Sequence, residues 1–229
     1  MHQKHAARFQ KRPLIQWTRL ATLSGAGTAA LVLATALSLP LPASASASAA
    51  TATSNRVTNT KYGFTFKLPV GWREVPLNSK DLSAILGQAA KASPSLKKSL
   101  TDQVQGAASK GLKVFAFSSI PEGGNFFPNL NVGVYNSAPS LSAIDAQAKI
   151  ELTSSGGTAI TTKSVRLALG PALQASYTLP LSTTTIYGTQ DYVVHGGRTY
   201  IITFSATEKP VEANAAMTTM TSWRFKSKH

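Results

Sequence analysis

From Tyr62 to Leu68 the chain alternates, with Tyr62, Phe64, Phe66 and Leu68 apolar and Gly63, Thr65 and Lys67 between them. Successive strand residues point to opposite faces, so this period of two predicts a strand buried on one side. Pro69 and Gly71 end it, and Trp72 follows as a large apolar anchor. The period then lengthens. Leu82, Ile85, Leu86 and Ala89 share a stripe behind Ser79, and Leu96, Leu100, Val104 and Ala107 share another that Ser93-Pro94 opens and Gly111 ends. Stripes of this spacing, with a capping serine or an early proline, predict two helices.

Leu112 to Phe117 is apolar at almost every position, as in an interior strand, and Leu130, Val132 and Val134 predict its partner after the loop Pro121 to Asn129. A third helix starts at Pro139-Ser140 with Leu141, Ile144, Ala148 and Leu152 inward, and Gly156-Gly157 stops it. From Ile160 the pattern is strand: Val165, Leu167 and Leu169, the turn Gly170-Pro171, then Leu173, Ala175, Tyr177 and Leu179. Thr185 to His195 and Arg198 to Ala206 flank Gly196-Gly197 as a tight hairpin, since two glycines accept the positive φ of such turns. Pro210 opens a last helix carrying Val211, Ala213, Ala216, Met217 and Met220 inward, and Trp223-Arg224-Phe225 closes the domain. Trp72 and Trp223 are expected in the core, with Met217 and Met220.

The order is strand, two helices, two strands, helix, four strands, helix. Hairpin-length connections force antiparallel pairing, because parallel neighbours need crossovers of a dozen residues or more. The fold class expected is α+β: one curved antiparallel sheet covered by helices on both faces.

The first fifty residues differ in kind. Lys4, Arg8, Lys11, Arg12 and Arg19 precede an uncharged run from Leu20 to Leu41, and the small residues Pro42 to Ala49 offer overlapping Ala-x-Ala cleavage sites. This is the pattern of a cleavable bacterial export signal over residues 1–49. The run is long enough to span a bilayer, but no basic cluster follows it as a stop-transfer flank. Residues 50–59 are expected to be a disordered leader and 60–229 a single domain. Without the five basic residues up to Arg19, 18 Lys and Arg face 9 Asp and Glu, so the formal charge falls from +14 to +9. That excess favours anionic neighbours such as phospholipid headgroups or phosphate-bearing wall polymers. The bases are scattered, so nucleic acid is not expected as a partner. The chain has no cysteine, which excludes disulfides and a lipobox anchor.

No motif calls for catalysis, a metal or a cofactor. A Gly-x-Ser-x-Gly elbow is absent, and Gly123-Gly124 precedes no Lys-Ser or Lys-Thr pair. Asp191 and His195 lie four apart in a strand, hence on one face, the one place where an acid and an imidazole could meet for a hydrolase. The bland alternative is a solvated hairpin-end histidine. The binding residues singled out are Phe126 and Phe127, two adjacent rings in the glycine- and proline-rich loop Pro121 to Asn129. Exposed, they would anchor an apolar ligand, a bilayer or a partner pocket; folded back, they would cover the end of the sheet.

The opening Tyr62-Gly-Phe-Thr-Phe-Lys-Leu-Pro-Val-Gly-Trp72, with Tyr200-Ile-Ile-Thr-Phe204 and Ser222-Trp-Arg-Phe225, resembles the PsbP-like superfamily, nearest the actinobacterial LpqN-type envelope proteins. The resemblance covers most of Thr60 to Lys226. It implies an α/β/α sandwich used as a binding or accessory module. LpqN-type members are often lipid-anchored, and the missing lipobox cysteine is a departure. The function expected is a secreted, non-enzymatic cell-envelope protein that recognises an apolar or anionic ligand, an envelope lipid or polymer, or a protein partner. The alternative is a hydrolase of envelope lipids or esters, and no transmembrane span is expected after signal cleavage.

Overall fold

Two antiparallel sheets pack against each other through a stack of aromatic rings. The computed structural model describes residues 55–75, 77, 111–118, 120, 122, 126–180 and 184–226. The two helices expected between Ser79 and Gly111, and the export signal, lie outside them. The small sheet pairs β1 (Arg56–Asn59), β2 (Phe64–Lys67) and β10 (Arg224–Phe225) in the order β1-β2-β10. The large sheet comprises β3 (Trp72–Val75), β4 (Leu112–Ser118), β5 (Asn129–Tyr135), β6 (Thr158–Leu167), β7 (Gly170–Pro180), β8 (Thr185–His195) and β9 (Arg198–Ala206), ordered β3-β4-β5-β9-β8-β7-β6. Two described helices accompany them, α1 (Leu141–Ser154) and α2 (Lys209–Ser222).

The expected α/β/α sandwich with helices covering both faces is therefore corrected: strands dominate, and a second sheet takes much of the place assigned to helices. The cause lies in the aromatic alternation of β2. Phe64 and Phe66 do not join the large sheet; Val57 pairs opposite Phe66, and Phe225 opposite Phe64. Gly71, at φ +79°, turns the chain away before Trp72 begins the large sheet. Phe64 and Phe66 stack on Trp223, each with ring centres 4.7 Å apart, and all three are fully buried. Removing a ring such as Trp223 from a packed core costs about 3–5 kcal/mol. β1 also shows that the ordered domain begins within the stretch read as leader.

Alternation along β7, β8 and β9 divides the core. One face of the large sheet carries Ala172, Val193, Ile202 and Phe204 and meets the small sheet and α2. The opposite face carries Leu173, Ala175, Tyr192 and Ile201 and meets α1 through Ile144, Ala148 and Leu152, the stripe expected from their spacing. Ser140 caps α1 by accepting from the Ala143 N–H at 3.2 Å, and the Gly157 N–H closes its end on the Leu152 carbonyl at 2.9 Å.

Helix α2 differs from expectation in rotation. Its buried residues are Glu212, Ala215, Thr219 and Met220, while Ala213 is exposed and Met217 is 62 % exposed. Two polar side chains share the inward stripe with Ala215 and Met220; Met220 is buried as expected and Ala216 packs partly against the core, whereas Ala213 and Met217 turn outward. Its first-turn N–H groups of Val211 and Glu212 bond to the Glu208 carbonyl, and the two residues before the helix are anchored from far along the chain. Glu122 Oε2 accepts from the Thr207 N–H at 2.6 Å, the Thr207 hydroxyl at 2.8 Å and the Glu208 N–H at 3.2 Å.

Candidate functional site

Two open clefts meet along α2 on the face that carries the small sheet. The first, about 700 Å³, lies between the turn Leu68 to Trp72, the neighbourhood of Ile120 and Glu122, and Val211 and Ala215 of α2. The second, about 600 Å³, is lined by Arg56, Lys67, Met217, Thr218 and Arg224 among others. They share Lys67 and Thr218. Val70 is 93 % exposed and Ile120 71 %, and both line the first cleft; exposed Met217 lines the second. Three of the four large apolar side chains left open among the described residues thus fall on one continuous surface, a concentration that single scattered exposures do not produce.

Charge along this surface is polarised. Glu122 and Glu208 sit where the first cleft meets the start of α2, whereas Arg56, Lys67 and Arg224 line the second cleft at its end. None of these three bases meets a carboxylate among the described residues, where the ion pair is Lys149 with Asp145. Arg224 is held in place: Nη1 donates to the carbonyls of Thr221 at 2.9 Å and Trp223 at 2.6 Å, at the helix end where a cation is favoured. The surface therefore offers an apolar trough that ends in three cations.

A second cationic cluster stands at the other end of β2. Lys61 Nζ, Lys113 Nζ and Arg198 Cζ lie 5.7, 5.5 and 5.7 Å from the centre of the Tyr62 ring.

Phe126 and Phe127 do not form an exposed anchor. Phe126 is buried in the core against α1, and Phe127 is buried edge-on to Phe117 with ring centres 6.1 Å apart. Both rings fold back, the second alternative their loop offered. Asp191 and His195 do not converge either. Asp191 is buried and accepts from Gln174 Nε2 at 2.9 Å, while exposed His195 stacks on Phe225 at 3.8 Å between ring centres. Burial, and then the nearby charge of Glu212, push the Asp191 carboxyl up to about 6, and burial raises Glu212 as well. Among the described residues, no group of three His, Asp or Glu side chains could hold a metal ion.

The face toward α1 contains a different feature, invisible to the hydrophobic pattern. Across β5, β9, β8 and β7 the register aligns Asn129, Ser205, Gly188 and Tyr177 in one row, and Asn131, Thr203, Gln190 and Ala175 in the next. Asn129 Oδ1, Asn131 Nδ2, Gln190 Nε2 and Thr203 Oγ1 are buried and have no hydrogen-bond partner, while the Tyr177 hydroxyl and the Ser205 hydroxyl interact with each other. Each such group costs about 1–3 kcal/mol, so the four together are comparable to the net stability of a domain. Gly188 makes room for the Tyr177 ring, since a Cβ there would lie 2.2 Å from Tyr177 Cζ. Tyr135 borders the array, its hydroxyl pushed up to about 12 by burial and by Glu151 of α1.

Among solved structures the chain is similar to a protein from Bacteroides thetaiotaomicron, with 8 % identity over 76 % of this chain and a TM-score of 0.45; it spans about half, 49 %, of that protein. It is also similar to the cyanobacterial PsbP, CyanoP, from Synechocystis, with 15 % identity, 80 % of this chain and 99 % of that one covered, and a TM-score of 0.47. A third match is LpqN, involved in cell envelope biogenesis of Mycobacterium tuberculosis, with 12 % identity, coverage of 72 % and 83 %, and a TM-score of 0.45. The chain resembles both PsbP and LpqN in structure. These are the two groups that the sequence resemblance names. No family model and no curated protein matches the chain.

Proposed function

We propose that this is an exported, non-enzymatic binding protein of the cell envelope whose ligand is an anionic amphiphile. The observation that carries this reading is the junction of the two clefts: exposed Val70, Ile120 and Met217 give an apolar seat, and Arg56, Lys67 and Arg224 stand where a headgroup charge would lie. Apolar burial supplies affinity at roughly 25 cal/mol per Å², and the cations select an anionic headgroup. The signal-like pattern of residues 1–49 supports a ligand outside the cytoplasm, among lipids and phosphate-bearing polymers. No helix among the described residues is long and apolar enough to cross a membrane. The hydrolase alternative loses its acid and imidazole, because Asp191 and His195 have separate partners.

Vesicle flotation tests the proposal. The protein should float with phosphatidylglycerol vesicles, less in high salt, and far less with phosphatidylcholine vesicles. Joint replacement of Arg56, Lys67 and Arg224 by Gln should abolish that preference, and Val70→Asp should weaken binding; His195→Ala should bind as wild type. Equal binding to both lipids, or an unchanged triple variant, refutes the headgroup assignment.

A further inference from the structure

We infer that the cationic cluster around Tyr62 is an interaction surface of its own, and that its partner is a linear phosphate-bearing polymer. It uses none of the residues assigned to the amphiphile and stands independently of the function proposed for the clefts. Lys61, Lys113 and Arg198 come from three distant stretches of the chain, so the sequence presents them as scattered bases. The fold brings all three to one ring, each less than 6 Å from its centre. Exposed Lys226 borders them, its N–H donating to the Gly63 carbonyl at 2.8 Å.

Backbone structure positions the ring and its cations. The Tyr62 N–H donates to Asn59 Oδ1 at 3.1 Å, and the Tyr62 carbonyl accepts from the Tyr200 hydroxyl at 3.0 Å. The register of β4 against β5 skips Lys113, pairing Leu112 with Gly133 and Val114 with Val132, and such an irregularity re-aims the side chain it releases. Arg198 opens β9 and its Nε donates to Asn136 Oδ1 at 3.3 Å, which leaves its terminal nitrogens for another acceptor. Like charges this close repel, and the Tyr62 ring offsets only part of that repulsion. Among the described residues none of the three meets a carboxylate, the ion pair there being Lys149 with Asp145. The cluster is therefore stabilised by taking up an anion. Lys113 and Arg198 are half-buried, within reach of a flexible chain but set back from a flat bilayer. A polymer also holds its phosphates close together covalently, and it gains affinity by releasing condensed counterions.

Calorimetric titration of the mature protein with poly(glycerol phosphate) chains tests the assignment, with glycerol 3-phosphate as the single-unit control. The polymer should bind saturably and the single unit far more weakly. Lys61→Gln, Lys113→Gln and Arg198→Gln together should weaken polymer binding about tenfold or more and lower the slope of log affinity against log salt by about 2, at roughly 0.7 per lost phosphate contact. The charge-matched set Lys149→Gln, Lys163→Gln and Arg166→Gln, on α1 and β6, should leave the affinity within about twofold. The cluster variant should still float with phosphatidylglycerol vesicles, which separates this surface from the clefts. Where it does not fold, Lys61→Glu makes the same test. Absence of polymer binding, equal binding of the single unit, unchanged polymer affinity in the cluster variant, or equal losses in both charge-matched sets overturns the inference. Lost flotation with polymer binding retained also overturns it and makes the cluster a membrane contact.

Discussion

Asp191 shows what a single buried side chain does to this fold. Its carboxylate lies under α2 with one oxygen bonded to Gln174 and the other without a partner. Burial and then Glu212 raise its pKa from 3.8 to about 6, against the Gln174 hydrogen bond and, less, Lys163 of β6; burial raises Glu212, against a Thr189 hydrogen bond and, less, Lys209. Because the folded value lies above the unfolded one, the native state binds the proton more tightly, so stability from this group is full below about pH 4 and is lost as pH rises through about 6. Asp191→Asn keeps the acceptor for Gln174 and removes the charge. It should raise Tm at pH 7 by a few degrees, on the order of 1–3 kcal/mol, and flatten Tm between pH 4 and 7. An unchanged pH profile in thermal melts would show that the carboxylate is not held this way. At this scale the sequence was partly legible. Trp72 and Trp223 are buried as expected, whereas Met217 faces solvent and the phenylalanine pair of the 121–129 loop is core. Whether an aromatic residue in a loop is exposed depends on the surface beneath it, and only the tertiary fold supplies that.

Elements were legible where one period dominated. Helix α1 carries its capping serine, its stripe and its glycine stop within seventeen consecutive residues, Ser140 to Gly156, so local sequence specifies it. Helix α2 lacks a side-chain hydrogen bond from its own N-cap residue, Glu208; instead Glu122, 85 and 86 residues earlier, anchors the N–H groups of Thr207 and Glu208 that lead into it. No local pattern announces such an anchor. Glu122→Ala should cost about 1–2 kcal/mol, comparable to losing an N-cap, and lower Tm by several degrees. Hydrogen exchange should show the loss concentrated at Thr207 to Glu212; protection lost evenly along α2, or not at all, would contradict this anchoring role. The edge strand β1 was missed because four residues, Arg-Val-Thr-Asn, carry too little apolar signal, and their partner β2 decides their state.

For the whole molecule, antiparallel pairing followed from connection lengths, but the division into two sheets did not. The strand signal of β2 is the same whether it extends a sheet or founds another; the Trp223 stack decides between them. That division also creates the clefts, since they form where the small sheet and α2 meet the edge of the large sheet. The cleft residues come from β1, β2, the Ile120 region and α2, so no single stretch of sequence reveals the site. The most direct measurement is NMR mapping of the mature protein titrated with monomeric dihexanoyl phosphatidylglycerol. Amide shifts should cluster at Lys67, Val70, Ile120, Met217 and Arg224 and saturate together. Shifts confined to the Tyr62 end or to the α1 face, or none at all, would contradict the account.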